Sequence, residues 1–164
     1  MKVPYRTFMR YGAGRQRRTV AAELSVTFAL TPVPTILCID DHRDALELCA
    51  AFLASEGYTV FTAPDGPSGI AFTRSHAIDA VVLDYNMPNM DGAEVAQILR
   101  LEDPALRVVV WSVCLETIPE SLKWFADVLL EKGDSPDYFL SSIAKLLHDS
   151  ALGNTASQSN RNYS

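Results

Sequence analysis

Ala80-Val81-Val82-Leu83-Asp84-Tyr85-Asn86-Met87-Pro88-Asn89-Met90-Asp91-Gly92 decides the fold of this 164-residue chain. Four consecutive apolar residues read as a strand buried on both faces, the kind found at the centre of a parallel sheet. The run stops at a carboxylate, Asp84, and a turn-rich loop follows. Open α/β sheets bind ligands just outside the carboxyl ends of their strands. A second apolar run, Thr35–Ile39, ends the same way, in Asp40-Asp41. If the two strands are parallel, three carboxylates meet at one edge of the sheet. Like charges that close are unfavourable until something neutralises them. A hard divalent cation such as Mg²⁺ does so with oxygen ligands.

Outward from these runs, strand and helix patterns alternate from residue 34 to residue 149. Asp44–Glu56 places Ala45, Leu48, Cys49, Phe52 and Leu53 on one helical face and stops at Gly57. Tyr58–Ala63 reads as a short strand, and Pro64-Asp65-Gly66 as a turn before a helix over Pro67–Ser75. Gly92–Leu101 carries Val95, Ile98 and Leu99 at helical spacing. Arg107–Val113 is a valine-rich strand, Ile118–Phe125 a short helix, and Val128–Leu130 a fifth strand. Ser135 is placed as an N-cap with Pro136 at the first helical position. The last helix is expected to end near His148, with Phe139, Ile143, Leu146 and Leu147 facing inward. Repeated strand–helix units predict an α/β fold, a parallel sheet with helices on both faces.

The ends of the chain differ from this core. Residues 1–33 hold Lys2, Arg6, Arg10, Arg15, Arg17 and Arg18 against Glu23 alone. That segment is therefore +5, and a total of −6 leaves −11 for the rest. It is expected to be a disordered basic leader, and a short helix over Val20–Leu30 packed on the domain is the alternative. Residues 150–164 are small and polar and are expected to be a disordered tail. A globular part this acidic is poorly suited to binding nucleic acid through its own surface. No uninterrupted apolar stretch reaches the roughly 18 residues of a membrane span. Cys38, Cys49 and Cys114 lack metal-ligand spacing, and their odd number gives no disulfide framework. Reduced thiols in a cytoplasmic protein are expected.

Taken together, the acidic pair Asp40-Asp41, the loop Asp84–Gly92, the hydroxyl of Ser112 ending the fourth strand and Lys132 ending the fifth resemble a response-regulator receiver domain, the CheY-like module of two-component signalling. The resemblance covers roughly Pro34 to Asp149. It implies a doubly wound, flavodoxin-like sheet of five parallel strands in the order 2-1-3-4-5. It implies that Asp84 accepts a phosphoryl group, with Ser112 and Lys132 contacting phosphoryl oxygens. It further implies that Asp40, Asp41, Asp84 and the Asn86 backbone carbonyl hold Mg²⁺, Asp41 directly and Asp40 through water. The implied partners are a sensor histidine kinase or a histidine phosphotransfer protein, and a downstream protein that the sequence does not name. A homodimer is compatible with this, and direct nucleic-acid or membrane binding is not expected. With only 15 residues after the domain, a stand-alone regulator acting by protein contact is expected.

The chemistry reads independently of the family. A carboxylate can act as a nucleophile and carry the group as an acyl phosphate. A lysine offers a compact positive charge to a phosphoryl oxygen. Asp91 is placed as a helix cap rather than a ligand, and His42 only covers the edge of the acidic pair. A phosphatase of the haloacid-dehalogenase type also uses a strand-end aspartate, but it carries a second aspartate two residues on, where this chain has Asn86. Three positions depart from the family pattern. Leu129 replaces an aromatic residue, Gly133 replaces the proline after the lysine, and Val113 replaces a small residue. Of these, Leu129 and Gly133 favour, as an alternative, a receiver-like binding module that signals without phosphorylation.

Overall fold

The computed structural model describes residues 32–158. Most of the expected leader, residues 1–31, lies outside them. The elements run β1 (Thr35–Ile39), α1 (Arg43–Ser55), β2 (Thr59–Ala63), α2 (Gly66–Thr73), β3 (Ala80–Leu83), α3 (Gly92–Glu102), β4 (Arg107–Ser112), β5 (Val128–Glu131) and α4 (Pro136–Gln158). The strands form one sheet ordered β2-β1-β3-β4-β5, with every neighbouring pair parallel. This is the doubly wound order expected from the sequence.

Period-two alternation sorts the core into two layers. Leu37, Ile39, Val81, Leu83, Val108 and Val110 face α2 and α3, where they meet Ile70, Val95, Ala96 and Leu99. Ile36, Cys38, Val82, Val109 and Trp111 face the other side, against Leu46, Cys49 and Leu53 of α1 and Phe139 and Ile143 of α4. β3 is buried along its whole length, as its four apolar residues require. Each large aliphatic side chain sealed in these layers contributes about 1.5–3 kcal/mol.

Local chemistry fixes the helix starts. The Asp65 carboxylate accepts from the Ser68 amide at 2.7 Å and caps α2. Asp91 and Glu94 form a reciprocal capping box at the head of α3, so Asp91 is a cap, as expected. The Ser135 hydroxyl accepts from the Tyr138 amide at 3.3 Å. Gly57, at φ 87°, turns the chain out of α1 in the left-handed region open to glycine.

Three expectations need correction. First, the buried stripe of α1 is Leu46, Cys49 and Leu53, whereas Leu48 is 48% exposed. Second, no α-helix joins β4 to β5 among the described residues. Two 3-10 turns, Leu115–Thr117 and Glu120–Trp124, take its place. Pro119 divides them, because a residue before proline is pushed out of the helical region, and Ile118 is extended at ψ 124°. Third, α4 continues to Gln158, so the expected disordered tail is helical up to that residue. Once a helix is nucleated, each further residue adds a hydrogen bond at little cost, and Ala151-Leu152 are good helix formers.

Candidate functional site

Backbone pairing carries the acidic residues to the sheet edge. The Asp84 amide donates to the Ile39 carbonyl at 2.8 Å, and the Asp40 amide donates to the Ala63 carbonyl at 3.2 Å. Both therefore extend the strand ladders by one residue, and their side chains emerge together. On the opposite flank, the Lys132 amide donates to the Ser112 carbonyl at 2.8 Å. Asp40, Asp84 and Ser112 are the buried polar residues of the described chain, at 5%, 4% and 0% exposure.

Lys132 closes the cluster. Its ammonium donates to Asp40 Oδ2 at 2.6 Å and lies 3.0 Å from Asp84 Oδ1. Burial alone pulls the lysine pKa down, but hydrogen bonds to Asp40 and Asp84 outweigh it and raise it. Lys132 is therefore a fixed cation. Burial pushes the Asp84 carboxyl above its ordinary range. Lys132 opposes that shift, while Asp40 and Asp41 add to it. The net rise of Asp84 beside a cation reflects burial first, with the neighbouring carboxylates adding to it.

The remaining expected residues stand around this cluster. Asp41 is more open, with its side chain 25% exposed. The side-chain amide of Asn86 donates to the Ser112 hydroxyl at 3.4 Å, so these two loops meet at the site. Gly92 lies where no β-carbon fits: an added one would stand 2.5 Å from the Asp84 carbonyl oxygen and 2.8 Å from Tyr85 Cα. Asn89 takes a positive φ of 69°, a conformation asparagine tolerates, and turns the loop back toward α3.

Two participants were underread in the sequence. The His42 amide donates to Asp40 Oδ1 at 2.8 Å, and its ring Nδ1 stands 3.1 Å from Asp41 Oδ1. Trp111, one residue before Ser112, lies with its ring centre 5.7 Å from the Lys132 ammonium. It is anchored by an indole N–H bond to the Glu131 carbonyl at 3.2 Å. Alternation within β4 hinted at a buried Trp111, but nothing local pointed it at a lysine 21 residues on.

The donor chemistry fits a hard cation. One ligand atom from each of Asp40, Asp41, His42 and Asp84 lies within 4.8 Å of the others. Three of the four are carboxylates, the oxygen ligands that Mg²⁺ prefers.

Residues 36–144 match the response regulator receiver domain. The chain belongs to this family. As a receiver it shares 36% identity over 124 residues with the nitrate/nitrite response regulator protein NarL of Escherichia coli, covering 73% of this chain and 55% of NarL. It shares 41% over 76 residues with the probable transcriptional regulatory protein TcrX of Mycobacterium tuberculosis, covering 46% of this chain and 32% of TcrX. The receiver thus spans about a third to a half of these two relatives. Among solved structures, the response regulator TrrA of Thermotoga maritima, in complex with Mg(2+)-BeF, superposes with a TM-score of 0.67 at 28% identity, covering 70% of this chain and 99% of that one. Receiver domains are signalling modules, and no helix among the described residues is long and apolar enough to cross a membrane.

Proposed function

We propose that this receiver takes a phosphoryl group on Asp84 in an Mg²⁺-dependent reaction, from a histidine kinase or a histidine phosphotransfer protein. The observation that carries the reading is the single ammonium of Lys132 shared by Asp40 and Asp84 at 2.6 and 3.0 Å. An Asp84 oxygen attacks phosphorus, the phosphorus–nitrogen bond of the donor breaks, and the imidazole leaves with the bonding pair. The product is an acyl phosphate on Asp84. Lys132 then pairs with one phosphoryl oxygen, and the Ser112 hydroxyl donates to another. Asp40, Asp41, Asp84 and the Asn86 carbonyl would hold Mg²⁺, which supplies neutralisation of the phosphoryl oxygens and the carboxylates together. Catalysis of this kind is mostly positioning plus charge stabilisation, and buried groups fixed by backbone pairing suit it.

The test is intact-mass spectrometry after incubation with acetyl phosphate and Mg²⁺. One added phosphoryl group is expected, absent in Asp84→Asn. Undiminished labelling of that variant would move the acceptor elsewhere. A phosphorylation-independent binding module is the second reading. It is favoured by Leu129, which packs against the α2–α3 side of the core where the family carries a mobile aromatic ring. Absence of label on the wild-type chain would select it.

A further inference from the structure

Directly beneath the acidic cluster lies a pair of thiols with no part in phosphoryl acceptance. Cys38 is two residues before Asp40 on β1, and Cys49 faces it from α1. Their sulfurs stand 3.1 Å apart. Both are free and buried. A disulfide has its sulfurs about 2.0 Å apart, so bonding asks each sulfur to move by only about half an ångström. Their backbones sit on adjacent packed elements, and the β1–α1 connection holds them in register. A narrow crevice of about 10 Å³ is lined by Cys38, Asp40, Cys49, Asp84 and Trp111. That volume holds about one water-sized molecule. A crevice of that size excludes bulky oxidants and leaves hydrogen peroxide, the smallest hydroperoxide, as the oxidant.

We infer that Cys38 and Cys49 form an oxidisable dithiol site that closes to a disulfide on reaction with a small hydroperoxide. One sulfur attacks a peroxide oxygen and the oxygen–oxygen bond breaks. The thiol proton leaves with the departing oxygen as water, and a sulfenic acid remains. The second sulfur then attacks the sulfenic sulfur, the sulfur–oxygen bond breaks, and a second water departs with the second thiol proton. Two thiols and one hydrogen peroxide give one disulfide and two waters. The crosslink would tie β1 to α1 two residues before the acidic pair.

Cys114 supplies an internal control, because it is more exposed than either member of the pair. The reduced full-length chain is treated with stepwise hydrogen peroxide, alkylated under denaturing conditions and digested. A Cys38–Cys49 linked peptide is expected to account for most of the Cys38 signal. It should be reversed by dithiothreitol, be lost in Cys49→Ala and persist in Cys114→Ser. Complete alkylation of Cys38 and Cys49 at peroxide levels that have already oxidised Cys114 would overturn the inference. So would pairing of either thiol with Cys114 in place of the other.

Discussion

Lys132 donates to Asp40 at 2.6 Å although β3 and β4 lie between their two strands in the sheet. The long side chain crosses the mouth of the site and joins the outer strand to the inner one. It also makes the ammonium the internal counterion for two buried carboxylates. Removing one partner of a buried ionic group leaves the rest uncompensated, at a cost of about 3–5 kcal/mol. Lys132→Ala should therefore lower stability by that order in chelator. Mg²⁺ should restore much of it, since a ligand bound only by the folded state stabilises it. Urea melts with and without Mg²⁺ check this, and an Mg²⁺-independent loss would mean that packing, not charge, is what the lysine supplies.

Asp84 gives a pH signature. Its carboxyl is raised in the folded state by burial and by its acidic neighbours. A raised carboxyl favours folding while protonated, below the unfolded value near 3.9, and that contribution is lost as pH rises through the higher folded value. Metal-free Asp84→Asn should thus be more stable than wild type at pH 7, and the gap should close as pH falls through the carboxylate range. Thermal melts across pH would show it. A gap that widens toward low pH would mean that the Lys132 contact outweighs burial.

Asp41 is the carboxylate most open to solvent in the cluster. Losing outer-shell partners of a metal costs about 10–100-fold in affinity. Asp41→Ala, which would remove a direct ligand, should weaken Mg²⁺ binding by at least about tenfold. Calorimetric titration reads this, and unchanged affinity in the variant would place the ion elsewhere.

Gly92 packs its α-carbon against the backbone of Asp84 and Tyr85. Backbone cannot rotate away as a side chain can. Gly92→Ala should cost about 1–3 kcal/mol, the usual range for overpacking, and should slow labelling of Asp84. Denaturant unfolding combined with acetyl phosphate labelling would check both parts. A neutral substitution would show that the loop yields easily.

The segment between β4 and β5 should carry most of the response to phosphorylation. It is held by Leu122 and Ile118, while Val113 and Trp124 are 72% and 83% exposed. Few buried contacts and short 3-10 turns place it at the low-stability end of the fold. Amide exchange with and without a phosphoryl mimic should change chiefly over Val113–Trp124. Change confined to β5 and α4 would refute this.

The strands and their acidic ends were legible because each signal is local. An apolar run that stops at a carboxylate reads the same in isolation as in the sheet. The face of α1 was not, since Leu46 and Leu48 are equally apolar and only packing against β1 and α4 chooses between them. A short helix was expected over Ile118–Phe125, and the restraint imposed by Pro119 leaves two 3-10 turns there instead. The length of α4 was hidden by polar residues that leave a helix its backbone bonds. The Lys132 bridge and the Cys38–Cys49 contact join residues whose distance is set by tertiary packing, so no spacing encodes them.

Strand order also sets a schedule. β1 lies between β2 and β3, whereas β5 is both the last strand in the chain and an outer strand of the sheet. Parallel strands pair only after a long crossover loop has closed, which makes each addition slow. A chain emerging from its N-terminus thus gathers Asp40 and Asp84 before Lys132 has been delivered. For that interval the nascent domain holds an acidic pocket without its own counterion, and a dissolved divalent cation is the nearest substitute. A metal ion held as proposed by the mature site would therefore also steady the pocket while it forms.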